Sequence, residues 1–149
     1  MVTVDYDVAI RRPPDAVFDY LTQVEQFADW QHDAGVIGVR RVTPGPIGRG
    51  SRFVIERRGR GSRTAQIECE VTAFEPGRRF TFHGRDSDGF TSDFDTTLTP
   101  SGEGTNLHWN VRMEPPNLVM RLLQPMIRRE ILKSAALDFP TLKSRLEQA

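Results

Sequence analysis

"FEPGRRFTFHGRDSDGFTSDFDTTLTPSGEGTNLHWNVRM", residues 74 to 113, decides the fold. Its turn signals are explicit: "EPG" at 75–77, "DSDG" at 86–89 and "PSGEG" at 100–104 each gather the residues that bend a chain. Between them lie alternating runs at 79–85, 91–99 and 105–113, the period of half-buried strands. The connections are too short for a crossover helix, so the strands must pair antiparallel. Upstream, the same signals give strands near 36–42, 51–58 and 64–74, with "GRG" at 59–61 as a further turn. Six strands in a meander follow. Parity turns Leu107, Trp109, Val111 and Met113 inward, and His108, Asn110 and Arg112 outward. Phe94, Thr96 and Leu98 point inward by the same test, as do Phe80 and Phe82, Ile67, Cys69 and Val71, and Phe53 and Ile55.

The flanks add one strand and the helices. "TVDYDVAI" at 3–10 alternates with Val4, Tyr6, Val8 and Ile10 on one face. In "RRPPDAVFDYLTQVEQFADW", residues 11–30, Pro13 and Pro14 suit a helix entry. Val17, Phe18 and Leu21, then Val24, Phe27 and Ala28, give two short helices meeting near Thr22 and Gln23. After "MEPPN" at 113–117, Leu118, Leu122, Met126, Ile131, Leu132, Ala135, Leu142 and Leu146 mark an amphipathic helical run almost to the C-terminus. Pro125 belongs near the first turn of its main segment, and Pro140 should break or kink it. This is an α+β order in which a curved antiparallel sheet of seven strands wraps a long C-terminal helix. Such a pairing does not close tightly everywhere and leaves a cavity.

Composition narrows the partners. The 149 residues make one domain, 1–149, with 20 basic against 20 acidic residues. That balance gives no bias toward nucleic acid or an anionic membrane. The chain has no long apolar run and no leader-like N-terminus, which predicts a cytoplasmic protein without stable membrane insertion. The lone Cys69 excludes an internal disulfide and a multi-cysteine metal site, and its apolar parity predicts a buried, inert thiol. The sequence holds no HExxH, no metal-ligand cluster and no Ser/His/Asp set at diagnostic spacing, so neither metal nor cofactor is expected.

"TPGPIGRGSRF" at 43–53 invites a phosphate-loop reading, but no GK[ST] follows and the chain runs on into a strand instead of a helix. It reads as a glycine-rich hairpin at the cavity rim, placed to act as a lid. "ERRGRGSR" at 56–63 lacks the interleaved aromatics of a nucleic-acid patch and reads as a solvated hairpin tip, with Arg57 exposed.

The order of these pieces resembles the START-like, or Bet v 1-like, superfamily, and within it the bacterial polyketide cyclase/dehydrase-type lipid-transport proteins. The resemblance rests on "RRPPDAVFDYL" at 11–21, "FADW" at 27–30, "GPIGRGSRF" at 45–53, "VTAFEPGRRFTFHG" at 71–84 and "PSGEGTNLHW" at 100–109. It implies the helix-grip fold and a hydrophobic small molecule held between sheet and helix. It also implies that Trp30 lies at the pocket mouth, with His32 and Asp33 as further entrance candidates.

Parity and resemblance together nominate Tyr6, Trp30, Phe53, Ile55, Phe82, Ser92, Phe94, Thr96, Trp109, Met113 and Met126 as ligand-binding residues. Large inward aromatics build cores as readily as pockets, so each has a packing alternative. His83 and His108, the natural general bases, fall on the outer face. Tyr6, Ser92 and Thr96 are the polar inward set, with Arg57 at the same parity but near a hairpin end that favours solvent, and all are poor bases near neutrality. A binding or carrier protein, monomeric or weakly homodimeric, is therefore the first expectation. A polyketide aromatase/cyclase using the same cavity is the alternative, with its catalytic residues unassigned. A third reading, a co-chaperone resembling the Hsp90 activator branch of the superfamily, would need a protein-binding surface that the sequence does not advertise.

Overall fold

The structure is a computed structural model and describes residues 1–59 and 63–148. Seven strands form one antiparallel sheet: β1 (Val2–Ile10), β2 (Val36–Arg41), β3 (Arg52–Arg58), β4 (Thr64–Glu75), β5 (Arg79–Asp86), β6 (Thr91–Ser101) and β7 (Gly104–Glu114). Their order across the sheet is β1-β7-β6-β5-β4-β3-β2. The meander thus runs unbroken from β2 to β7, and β1 closes onto β7 with Tyr6 opposite Trp109. Arg60 of the basic hairpin, with the rest of 60–62, lies outside the described residues.

Between β1 and β2 come α1 (Pro14–Leu21), a single 3-10 turn at Val24–Gln26 and α2 (Phe27–Trp30). Pro14 sits at the first helical position, where its missing N–H costs nothing. Val17, Phe18 and Leu21 are buried on one side of α1. The C-terminal run divides at Leu123 into α3 (Leu118–Leu122) and α4 (Gln124–Gln148). The Asn117 side chain caps α3 by accepting from the Met120 amide at 2.9 Å. Pro125 falls in the first turn of α4 as expected. Pro140 does not interrupt it, and the helix continues through to Gln148.

The sheet bends at two register shifts. One lies between Val36 and Gly38 against β3, the other between Val71 and Ala73 against β5. An extra residue in one strand resets alternation, so Val71 and Phe74 both face the core. Phe74 meets Phe18 edge-on at 5.1 Å and Phe80 at 6.2 Å. The turns use glycine where φ must be positive: Gly77 at 74°, Gly89 at 95° and Gly102 at 60°.

The concave face of the sheet and the inner stripe of α4, comprising Ala135, Phe139, Leu142 and Leu146, share one core with Val17, Phe18, Leu21 and Phe27. Ile127, Ile131 and Leu132 pack on Val2, Val4 and Val111 toward the other end of the helix. Lys143 and Glu147 tie α4 to the end of β1: Lys143 Nζ donates to the Ala9 carbonyl, and Glu147 accepts from the Arg11 amide at 2.8 Å.

Gly104, where β7 starts, marks the tightest backbone approach in this region. A Cβ there would stand 2.6 Å from the Ile10 carbonyl oxygen, an atom of the paired strand that cannot rotate away. Gly104→Ala is expected to cost about 1–3 kcal/mol, read as a lower urea midpoint with an unchanged slope. An unchanged midpoint would mean that the β1–β7 end yields freely.

Candidate functional site

Between the concave sheet and the middle of α4 lies a cavity of about 490 Å³. Its floor is aromatic. Phe80 and Phe82 come from β5, Phe94 from β6, Trp109 from β7, Phe27 and Trp30 from α2, and Phe139 from the helix. Ile55, Ile67, Val111 and Met113 fill the spaces between the rings. These rings are packed against one another as well as against empty space: Phe82 stacks on Phe94 at 4.8 Å, and Trp30 and Trp109 each sit beside Phe139, at 5.5 and 5.3 Å. The opening is polar and lies between the α2–β2 connection, with Asp33 and Ala34, and the outer turns of α4, with Glu130, Lys133 and Leu137.

Seven of the eleven residues nominated from sequence line this wall: Trp30, Ile55, Phe82, Phe94, Thr96, Trp109 and Met113. Four stand elsewhere. Tyr6 stacks on Phe139 at 5.3 Å and stays within the packed core. Phe53 lies behind the wall, between Phe27 at 6.2 Å and Phe82 at 5.2 Å. Ser92 is buried opposite Met113 without reaching the cavity. Met126 is half exposed on α4 and faces away.

Of the entrance candidates, Asp33 borders the opening, whereas His32 is exposed and its carbonyl accepts from Arg58 and from the Gly35 amide, each at 3.0 Å. The 43–52 segment contributes nothing to the wall. It joins the far end of β3 from Arg57 and is pinned there by Gly50 N to Val71 O at 2.8 Å and Arg52 N to Thr43 Oγ1 at 2.9 Å.

Two wall residues depart from the sequence reading. Arg57 was expected in solvent. It shares the inward parity of Phe53 and Ile55, is half-buried, and its Nε is enclosed without a hydrogen-bond partner. Asp138 was not singled out at all, though a charged residue inside the apolar stripe of an amphipathic helix was the signal to follow. It is 3% exposed. Its two oxygens accept from the backbone amides of Asp33 and Ala34, each at 2.9 Å, so α4 grips the connection that frames the opening. Burial pushes this carboxyl up to about 6; the two amides oppose the rise and the nearby Asp33 charge adds to it.

Outside the cavity, two histidines pair with surface carboxylates and the one thiol is buried. His83 pairs with Asp93 at 3.0 Å on the outer face, and His108 lies between Asp7 at 2.7 Å and Asp5 at 3.1 Å. The hydrogen bond to Asp7 is the main influence raising the His108 pKa. Burial pushes the Cys69 thiol up to about 12, and Sγ donates to the Ile67 carbonyl at 3.6 Å, so no thiolate forms near neutrality. Among the described residues no group of acidic, histidine or cysteine side chains is arranged to hold a metal ion, and no helix is long and apolar enough to cross a membrane.

Comparison with known proteins agrees with this architecture. A family model described as polyketide cyclase/dehydrase and lipid transport matches residues 1–146. No curated protein matches the chain. Among solved structures, TTHA0849 from Thermus thermophilus superposes with a TM-score of 0.79 at 18% identity, covering 97% of this chain and 96% of its own. A START superfamily protein from Mycobacterium smegmatis gives 0.77 at 14% identity, covering 98% and 97%. Ara h 8.0201 gives 0.70 at 14% identity, covering 99% and 98%. At these identities the likeness is one of fold: the helix-grip arrangement of curved sheet and long C-terminal helix.

Proposed function

The chain belongs to the polyketide cyclase/dehydrase and lipid transport family, and from that premise we propose that it binds and carries a hydrophobic or aromatic small molecule. The observation that supports this reading is the cavity of about 490 Å³ walled by seven aromatic side chains beneath a polar opening. That volume and lining suit a ligand of a few fused rings or a folded chain. Burying such a body stabilises the complex by roughly 25 cal/mol per Å² of apolar surface, reduced by the entropy lost on capture.

Calorimetric titration with 1-pyrenebutanol, an uncharged apolar probe, tests it. One saturable site is expected. Trp109→Ala should weaken binding about tenfold, since the indole forms part of the wall. His108→Ala, one residue away on the opposite face, should leave the affinity within about a factor of two. Equal effects from both would remove the cavity as the binding place.

Cyclisation of a bound chain is the second reading, and Asp138 favours it: a wall carboxyl with a pKa of about 6 can exchange a proton near neutrality. Its oxygens are occupied by two amides, which suits a positioning role better. Turnover of a model polyketide chain that disappears in Asp138→Asn, with 1-pyrenebutanol binding retained, would establish the enzyme.

A further inference from the structure

Two hydrogen-bond donors are buried without partners among the described residues: Trp30 Nε1 and Arg57 Nε. Both residues line the same cavity. Trp30 is only 3% exposed. Native interiors rarely leave such groups unsatisfied, because a stranded donor costs about 1–3 kcal/mol. Both nitrogens belong to side chains of the cavity wall, so a small side-chain adjustment would bring each to an acceptor that enters with the ligand. Neither can accept a hydrogen bond, and one belongs to a permanently charged guanidinium. The complementary head group is therefore rich in acceptors and negatively charged.

The other charges around the cavity leave that assignment standing. Asp33, Glu130 and Lys133 are exposed at the opening, where water and salt screen them. The Asp138 oxygens are taken by the Asp33 and Ala34 amides. Asp86 feels the Arg57 charge through space but forms no ion pair with it, and burial outweighs that attraction and raises the Asp86 carboxyl. Arg57 thus has no ion-pair partner among the described residues. It stands at the polar end of an otherwise aromatic wall, where Val36 of β2 is its strand neighbour.

We propose that the cavity selects amphipathic carboxylates: an apolar or aromatic body lies against the Phe82, Phe94 and Trp109 wall, and the acid oxygens accept from Arg57 and Trp30 Nε1. This rests on the carrier reading and adds the charge of the ligand to it. Charge-assisted hydrogen bonds of this kind are short and about twice as strong as neutral ones.

Three probes that share one body test it: 1-pyrenebutyrate, 1-pyrenebutanol and 1-pyrenebutylamine, titrated calorimetrically at pH 7.5. The acid should bind about tenfold tighter than the alcohol, and the amine weakest. In Arg57→Met the acid should fall to the level of the alcohol while the alcohol is unchanged. In Trp30→Phe, which keeps a ring and loses the N–H, the acid should weaken about threefold. An alcohol that binds as well as the acid in the unmodified protein overturns the proposal, whatever the variants do and whether or not they fold. An acid preference that survives in Arg57→Met overturns it too. If no probe binds, the carrier reading itself falls. Binding of all three with equal affinity removes only the charge assignment.

Discussion

Phe139→Ala should destabilise the protein by about 3–5 kcal/mol, a large share of the roughly 5–15 kcal/mol that holds a domain together. The side chain is 3% exposed and lies between three rings: Tyr6 at 5.3 Å, Trp30 at 5.5 Å and Trp109 at 5.3 Å. It is where α4 meets β1, β7 and α2 at once. Its loss removes both the transfer energy of a buried ring and the edge and face contacts that position the others. The space left would merge with the existing cavity, so the vacated volume cannot collapse cheaply. Urea unfolding followed by far-UV circular dichroism measures the loss. A change below about 1 kcal/mol would show that the helix is held mainly by its Leu142 and Leu146 end.

Asp138 should make stability fall as pH rises from 4 to 7. Its folded pKa of about 6 stands above the roughly 3.9 of an unfolded aspartate. Below pH 4 the carboxyl is protonated in both states and contributes no difference. Between pH 4 and 6 the unfolded chain has released a proton that the folded protein still binds, so each increment of pH favours unfolding. Above the folded pKa the full cost is present, on the order of 2–3 kcal/mol.

Other groups pull differently. Glu147 is held down to about 2, chiefly by its Lys143 hydrogen bond, and its influence is confined to lower pH. His108, raised by Asp7, adds stability in acid that is lost as pH climbs through its folded pKa. The measurement is therefore the difference between the unmodified protein and Asp138→Asn across that range, in which these contributions cancel. The unmodified protein should lose about 2–3 kcal/mol relative to the variant from pH 4 to 7. A flat difference would mean that the two amides compensate burial completely.

The meander was legible because its turns are written in glycine, proline and aspartate, and strand ends fall within two residues of where those turns place them. The bulges were not legible. Nothing in "EVTAFE" marks the extra residue that turns Phe74 back inward, since alternation carries no record of where it slips. The same limit applies to the site. Residues on regular strand faces, such as Phe82, Phe94, Thr96 and Trp109, followed from parity alone.

Parity also turned Tyr6, Phe53 and Ser92 inward, but it cannot tell which inward side chain meets empty space. That depends on where the helix sits, and the helix is placed by contacts distant in sequence. Asp138 shows this most clearly, because its partners lie 105 and 104 residues away. Arg57 was misread because nearness to a hairpin suggested solvent. In the fold that end of β3 lies beside the opening, with Val36 paired against it.

Both of the chain's tryptophans border the cavity, which gives the protein a built-in optical reporter. All of its indole emission arises from two points on one wall, each beside Phe139. A ligand that absorbs near 350 nm will quench that emission by energy transfer, and one that only displaces solvent will shift its colour. Occupancy can therefore be followed in the purified, unlabelled protein. An unfolding curve recorded by the same light will register the moment the helix leaves the sheet, before or after the distant β2 edge is lost.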